Sequence, residues 1–168
     1  MKKYFIYLLV YSFGGYVLER IINLIAFGKW VENRVLIGPY QPLYGAGIVL
    51  AILVYDLVIV KYVGNKNARM LLLFITAIIT TSISEAVTGF GFEFLYNHSL
   101  WDYNLFFTCN LKYVCVVPTS LFGLLSFLTI IIFHPFVVRT ELMISKKTSI
   151  ILFILFVIDI VYTFAFRL

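Results

Sequence analysis

Five long runs of apolar residues constrain the fold of this chain more than any other feature of its sequence. The runs cover about residues 4–27, 44–62, 70–96, 113–138 and 150–166. A helix needs about 20 apolar residues to cross the ~30 Å hydrocarbon core of a bilayer. Runs of this length lack the alternation of a membrane β-barrel strand, and a backbone in lipid must satisfy its own hydrogen bonds. The sequence therefore predicts an all-α polytopic membrane protein, with about five transmembrane helices in one integral membrane domain, residues 1–168.

The distribution of basic residues predicts how the chain crosses the membrane. The net charge is +5, yet the Lys and Arg residues lie mostly in short connections between spans, which indicates topology and not a nucleic-acid partner. One side holds eight of them: Lys2, Lys3, Lys61, Lys66, Arg69, Arg139, Lys146 and Lys147. The other side holds four: Lys29, Arg34, Lys112 and Arg167. The amino terminus is therefore predicted inside and the carboxy terminus outside, with two polar inserts, residues 30–47 and 97–112, on the outer face.

Acidic residues at membrane depth are candidate site residues, because such groups are costly in lipid and usually face a cavity or a partner. They are Glu19, Asp56, Glu85 and Asp159, with Glu93 nearer the outer boundary. Two sets recur at four-residue intervals and form polar, small-residue stripes: Gly15, Glu19 and Asn23, and Thr81, Glu85, Gly89 and Glu93. We interpret the glycines and threonines as packing residues and favour a function for Glu19 and Glu85, which we predict to lie close together. Arg20 points about 100° away from Glu19 and is expected to snorkel or to pair with another helix.

The two inserts combine aromatic rings with polar groups. An interfacial aromatic belt would explain the rings alone, whereas directed hydrogen bonds to a ligand would use the neighbouring charges as well. The candidate ligand-binding residues are Glu19, Asn33, Arg34, Tyr44, Glu85, Trp101, Asp102 and Tyr103. Pro39 and Pro42 predict that residues 38–47 cannot be a regular helix and fold back into the outer mouth of the bundle. Arg34 and Asp102 are predicted to pair across the two inserts.

Signatures of enzymes and cofactors are sparse in this sequence. His98 and His134 are predicted on opposite sides of the membrane, no HExxH or CxxC motif occurs, and no metal or cofactor is predicted. The chain has no GxxxxGK[ST] phosphate loop, which excludes an ATPase of that class. Cys109 and Cys115 could pair in an oxidising compartment, but free thiols are the favoured expectation.

Several motifs resemble those of a known family. Residues 38–47 read GPxxPxYGxG, and Glu19, Asn33-Arg34, Glu85, Gly89, Trp101-Asp102-Tyr103 and Cys115 occur in the same order as in the bacterial ABC-transporter type IV (CmpB-like) membrane proteins. The resemblance covers about residues 12–125 and implies a permease-like role in the bacterial cytoplasmic membrane. The chain departs from the family pattern at Val35, where glycine is usual after the Asn-Arg pair, and at Lys112-Tyr113-Val114, where a Gly-Arg pair before the cysteine is usual. Lysine lacks the planar fork of arginine, so an anion site there would be altered.

These observations favour a transport component that takes up an unidentified small solute at its outer face. It would sit in the lipid bilayer and work with a second copy or with a separate ATPase or membrane subunit. A membrane-embedded enzyme acting on a lipid or lipid-linked substrate is the alternative, with Glu19, Glu85 or Asp102 as acid/base groups. A non-catalytic scaffold or sensor is the second alternative.

Overall fold

The computed structural model describes residues 2–28, 35–105, 109 and 111–167, and every regular element in these ranges is helical. Five helices are long and apolar enough to cross a membrane. They are α1 (Lys2–Phe27), α2 (Pro42–Tyr62), α3 (Lys66–Tyr96), α4 (Val116–Met143) and α5 (Lys146–Arg167). The prediction of an all-α fold with five spans is confirmed.

Polar caps extend two helices beyond their apolar runs. The Asn65 side chain accepts hydrogen bonds from the amides of Asn67 (2.8 Å) and Ala68 (3.2 Å), so α3 begins before the predicted residue 70. The Ser145 hydroxyl accepts a bond from the Thr148 amide (3.1 Å) and starts α5 before residue 150. Such caps satisfy amides that have no partner within the helix.

The other ends of α3 and α4 are also set by polar groups. Asn97 ends α3 in the left-handed conformation (φ 53°), which asparagine tolerates better than most residues. At the far end of α4, Glu141 forms an ion pair with Lys2 of α1 (2.9 Å), and the helix continues to Met143 instead of stopping near residue 138.

The expectation that residues 38–47 cannot form a regular helix is wrong for residues 42–47. The helix α2 begins at Pro42. Proline is tolerated in the first helical turn, because the amide that it lacks would have had no partner within the helix. The preceding amide of Gln41 donates to the Ser12 carbonyl of α1 (2.9 Å), which fixes the point where the helix starts.

The chain forms two compact units, which are described separately: unit 1 is Met1–Gly45 with Pro135–Leu168, and unit 2 is Ala46–His134. In unit 1, the Phe5 ring of α1 meets the Phe153 ring of α5 edge-on, with centroids 5.2 Å apart. The start of α2 packs closely on α1, since a Cβ atom added to Gly45 would overlap the Ser12 hydroxyl and lie 2.6 Å from the Leu8 carbonyl oxygen. The absence of a side chain at Gly45 permits this approach.

Unit 2 packs in the same way. A Cβ atom added to Gly89 of α3 would lie 2.7 Å from the Cβ atom of Tyr113. The Phe74 ring of α3 and the Phe127 ring of α4 pack edge-on, with centroids 5.3 Å apart. Gly89 belongs to one of the predicted small-residue stripes, and its role there is close packing.

The helices bury several polar groups and leave many large apolar side chains exposed. Large apolar side chains such as Ile25, Val87 and Phe133 remain exposed, as suits contact with lipid. Buried polar residues include Ser12, Arg20, Asn23, Thr80, Thr81, Ser84, Glu85, Thr119 and Ser126. Of the two expectations for Arg20, snorkelling does not fit, because the residue is 4% exposed and its guanidinium lies over the Tyr16 ring, 4.8 Å from the centroid. A pairing of Arg20 with another helix stays a prediction.

Candidate functional site

A buried carboxylate, Glu85 of α3, is the centre of the polar structure in unit 2. Its side chain is 4% exposed. Oε1 accepts a hydrogen bond from the Tyr103 hydroxyl (3.0 Å), and Oε2 accepts one from the Thr119 hydroxyl (2.6 Å). Tyr103 belongs to the insert after α3, and Thr119 lies in the first turn of α4. The carboxylate therefore connects three parts of this unit.

The start of α4 is fixed by a second group of bonds. The Thr119 hydroxyl, besides donating to Glu85, accepts a hydrogen bond from the Cys115 amide (3.3 Å). Cys115 forms a disulfide with Cys109, and their Cα atoms are 5.1 Å apart. The expectation of free thiols is wrong, since the fold brings the two Cα atoms within the range that a disulfide requires.

An ion pair lies close to the disulfide. Lys112 is bonded to Glu93, eight residues beyond Glu85 on α3, and the Tyr113 hydroxyl donates to the other oxygen of Glu93 (2.7 Å). The hydrogen bond to Glu93 raises the pKa of Lys112 above its ordinary value. The Tyr113 ring also packs edge-on against Trp101, whose indole donates to the Tyr113 carbonyl (3.3 Å). The aromatic residues of the insert are thus held against the end of α3.

Asp102 has a local structural role in the insert. Its Oδ1 atom accepts a hydrogen bond from the Asn104 amide (2.8 Å), which stabilises the short turn Tyr103–Leu105. The Tyr103 amide donates to the Lys112 carbonyl (2.8 Å). These two bonds orient Tyr103 so that its hydroxyl reaches Glu85.

Unit 1 holds a second carboxylate site, centred on Asp159 of α5. Its two oxygens accept bonds from the amides of Ile37 (3.0 Å) and Gly38 (2.8 Å), and the Tyr40 hydroxyl also donates to it. Thr163 donates from the next turn of α5 (3.1 Å). Burial raises the pKa of Tyr40 well above its ordinary value, and the hydrogen bond to Asp159 adds to this rise. Asp159 thus binds the segment before α2 to α5.

Glu19 of α1 contacts the same segment before α2. Its Oε2 atom accepts a hydrogen bond from the Gln41 side chain (2.8 Å). Tyr44, three residues later, packs over Gly15 of α1, where an added Cβ atom would lie 2.6 Å from the ring carbon Cγ. The stripe on α1 therefore accommodates the residues at the start of α2.

A family model described as "Putative ABC-transporter type IV" matches residues 6–164. The chain belongs to this family. Neither the curated proteins nor the solved structures gave a match. The match is longer than the resemblance in the motifs, which covers about residues 12–125. Membership of the family supports a transport-related role in a membrane.

In this ABC-transporter type IV protein, the structure brings some of the predicted site residues together. Glu85 and Tyr103 are in direct contact, and Trp101 and Asp102 organise the insert that carries Tyr103. Asn33 and Arg34 lie outside the described residues, so the Arg34–Asp102 pair stays a prediction. The proximity of Glu19 to Glu85 also stays a prediction.

Sequence reasoning missed several partners in this type IV protein. They are Thr119, Lys112, Tyr113, Gln41 and Tyr40. Lys112 carried a usable signal, because a lone basic residue in an insert near an acidic helix end is a candidate for pairing. The hydroxyl and amide partners carried none, since these residue types occur throughout the chain. No group of three or more His, Cys, Asp or Glu suited to a metal occurs among the described residues.

Proposed function

We propose that this chain is the membrane-spanning component of a transporter for a small solute, and that Glu85 lies in its binding site. The observation that carries the proposal is the burial of Glu85 within a span. An ionised group at the centre of a membrane helix costs about 2.5–3.5 kcal/mol on insertion scales, and groups of this kind usually mark a substrate pathway or a pair. The hydroxyl groups of Tyr103 and Thr119 are neutral, so these contacts hold the carboxylate without cancelling its charge.

The two partners of Glu85 suggest how a solute would enter. Thr119 is part of a helix, whereas Tyr103 comes from the insert. A solute with a hydrogen-bond donor can replace the Tyr103 hydroxyl at Oε1, while Thr119 keeps Oε2 in place. The release of Tyr103 would alter the insert, which the disulfide and the Glu93–Lys112 pair keep attached to the ends of the helices.

The proposal requires a partner that supplies energy. Transporters of the ABC class use ATP, and this chain has no GxxxxGK[ST] loop, so a separate ATPase subunit would hydrolyse it. Exposed apolar residues on α4 and α5 offer surface to lipid, to such a subunit or to a second copy.

The proposed orientation has the amino terminus inside and the insert outside the cytoplasmic membrane. The distribution of Lys and Arg favours it. The Cys109–Cys115 disulfide supports it independently, because disulfides persist in oxidising compartments and are rare in the cytosol.

The experiment compares the purified protein with two variants by mass spectrometry of the small molecules that copurify. Glu85→Gln preserves the shape of the side chain and removes its charge. Asp56→Asn is the matched control, because Asp56, although also an acidic candidate from the sequence, is exposed on α2 of the same unit, whereas Glu85 is buried. We expect a compound that is present with the native protein and the control but depleted with Glu85→Gln.

The compound would then be labelled and offered to proteoliposomes that contain the protein and its ATPase partner. Uptake that requires ATP supports transport. Conversion of the compound to a product in detergent, without ATP or a gradient, would instead establish an enzyme. If no copurifying compound is depleted in Glu85→Gln, Glu85 is not part of a solute-binding site.

A further inference from the structure

Three basic side chains form a cluster where α4 and α5 meet in unit 1. They are Arg139, about one turn before the end of α4, and Lys146 and Lys147, the first residues of α5. The two helices are close in sequence here, because α4 ends at Met143 and α5 begins at Lys146. All three basic residues are exposed, and within the described part of the chain none of them forms a hydrogen bond or an ion pair. Their charges are therefore directed to the surroundings of the protein.

The acidic residue within the same stretch is engaged by a different cation. Glu141 is the one acidic residue in the sequence between residues 135 and 158. Its Oε1 atom pairs with Nζ of Lys2 on α1 (2.9 Å), and its carbonyl oxygen accepts a bond from the same Nζ atom (3.0 Å). The next acidic residue on α5, Asp159, is a helical rise of ~18 Å beyond Lys147. The Lys2–Glu141 pair is thus neutral, and the cluster keeps its three positive charges.

Exposed apolar side chains lie beside these cations on both helices. Residues three or four apart share a face of a helix, so Phe136 lies beside Arg139, and Ile150 and Ile151 lie beside Lys147. Phe136 is 61% exposed, Ile150 is 51% exposed and Ile151 is 57% exposed. Each helix therefore places positive charge at the edge of an apolar surface that faces outward.

The basic turn between α2 and α3, residues 61–69, differs from this cluster. It also contains three basic residues: Lys61, Lys66 and Arg69. Its arginine is used within the protein, because the Arg69 guanidinium donates to the carbonyl oxygens of Val63 (2.5 Å) and Val60 (3.2 Å). The usual excess of basic residues on one side of a membrane would explain charges at either turn. It does not explain why Arg139 lacks bonds of the kind that Arg69 forms.

We propose that the cluster of Arg139, Lys146 and Lys147 binds the headgroup of an anionic phospholipid. The planar guanidinium and the two ammonium groups donate to the phosphate, and basic clusters at the end of a membrane span attract anionic lipids. The acyl chains lie along Phe136, Ile150 and Ile151. An acidic segment of a partner protein would match the charges but would leave this apolar surface unused. The lipid site does not depend on the proposed transport function.

The test is native mass spectrometry of the full-length protein in a neutral detergent. Phosphatidylglycerol and phosphatidylcholine with identical acyl chains are the probes, and the fraction of protein that carries each lipid is measured against lipid concentration. We expect the native protein to bind phosphatidylglycerol more tightly than phosphatidylcholine, since the two lipids differ in net charge.

A double variant, Lys146→Gln with Lys147→Gln, removes two charges from the cluster. A basic residue near an anionic lipid surface strengthens binding about fivefold, so the double variant should bind phosphatidylglycerol about 25-fold more weakly. Arg139→Gln should weaken it about fivefold. The affinity for phosphatidylcholine should stay the same in all of these variants. The three side chains are exposed and form no bonds within the described residues, so the variants should keep the native Tm.

The matched control is Lys61→Gln with Lys66→Gln, which also removes two exposed lysines from the side of the membrane predicted for the cluster. It should keep the native affinity for phosphatidylglycerol. An equal loss in the two double variants would overturn the proposal, because it would reflect the net charge of the protein and not a site. Equal affinities of the native protein for the two lipids would also overturn it. If a soluble polyglutamate peptide displaces phosphatidylglycerol from native protein, the cluster is a site for an acidic protein segment and the lipid assignment is wrong.

Discussion

The bonds to Glu85 give the sharpest prediction about the stability of unit 2. Thr119→Val and Tyr103→Phe each remove one hydroxyl group and keep the shape of the side chain. A hydrogen bond to a charged group contributes about 1.5–3 kcal/mol, so each variant should lower the free energy of unfolding by about that amount. The Thr119 bond is shorter, 2.6 Å against 3.0 Å, and both of its residues are buried, so we expect Thr119→Val to cost more.

A double-mutant cycle separates this contact from the other bond of Thr119. Its hydroxyl also accepts from the Cys115 amide (3.3 Å), a neutral bond that contributes about 0.5–1.5 kcal/mol. In a Glu85→Leu background, Thr119→Val should therefore cost only that smaller amount. The difference between the two backgrounds measures the interaction between Thr119 and Glu85.

The assay is equilibrium unfolding in mixed micelles of a mild detergent and dodecyl sulfate, with Thr140→Val and Tyr62→Phe as controls. Both control residues are exposed, and such substitutions usually change the free energy by less than about 0.5 kcal/mol. The reasoning fails if Thr119→Val matches its control, or if its cost is the same with and without Glu85.

Three further predictions concern the disulfide, the α1–α2 contact and the topology. Cys109→Ser opens a loop whose ends are six residues apart and should lower the free energy of unfolding by about 2 kcal/mol, with a lower Tm as the readout. The native protein in reductant should show the same fall in Tm. An unchanged Tm in both would contradict a stabilising disulfide. Gly45→Ala should cost about 1–3 kcal/mol, because the new methyl overlaps Ser12, whereas Gly14→Ala meets nothing within 4 Å and should be tolerated; equal unfolding free energies would refute the packing argument. Alkaline phosphatase fused to the carboxy terminus should be active in cells, and an inactive fusion beside an active cytoplasmic reporter would reverse the predicted topology.

The sequence by itself determined the number and type of the main elements. Each apolar run is long enough to span a bilayer, and a backbone in lipid must form helices, so five helices followed from local composition alone. The helix boundaries were less accurate, because caps such as Asn65 and Ser145 lie outside the apolar runs. Pro42 was misread, since the same residue can break a helix or begin one, and the bond from the Gln41 amide to Ser12 decides which.

The tertiary structure decided which polar groups meet. Glu85 was a sequence candidate because ionised groups are costly in lipid, but its partner Thr119 is 34 residues away and belongs to a common residue type. Three partners of Asp159 are about 120 residues away, and two of these are backbone amides, which every residue except proline possesses. The disulfide depended on a Cα separation of 5.1 Å that spacing along the chain does not fix. Burial cost is a property of single residues and can be read from the sequence, whereas hydrogen bonds and disulfides depend on distances that only the packed helices set.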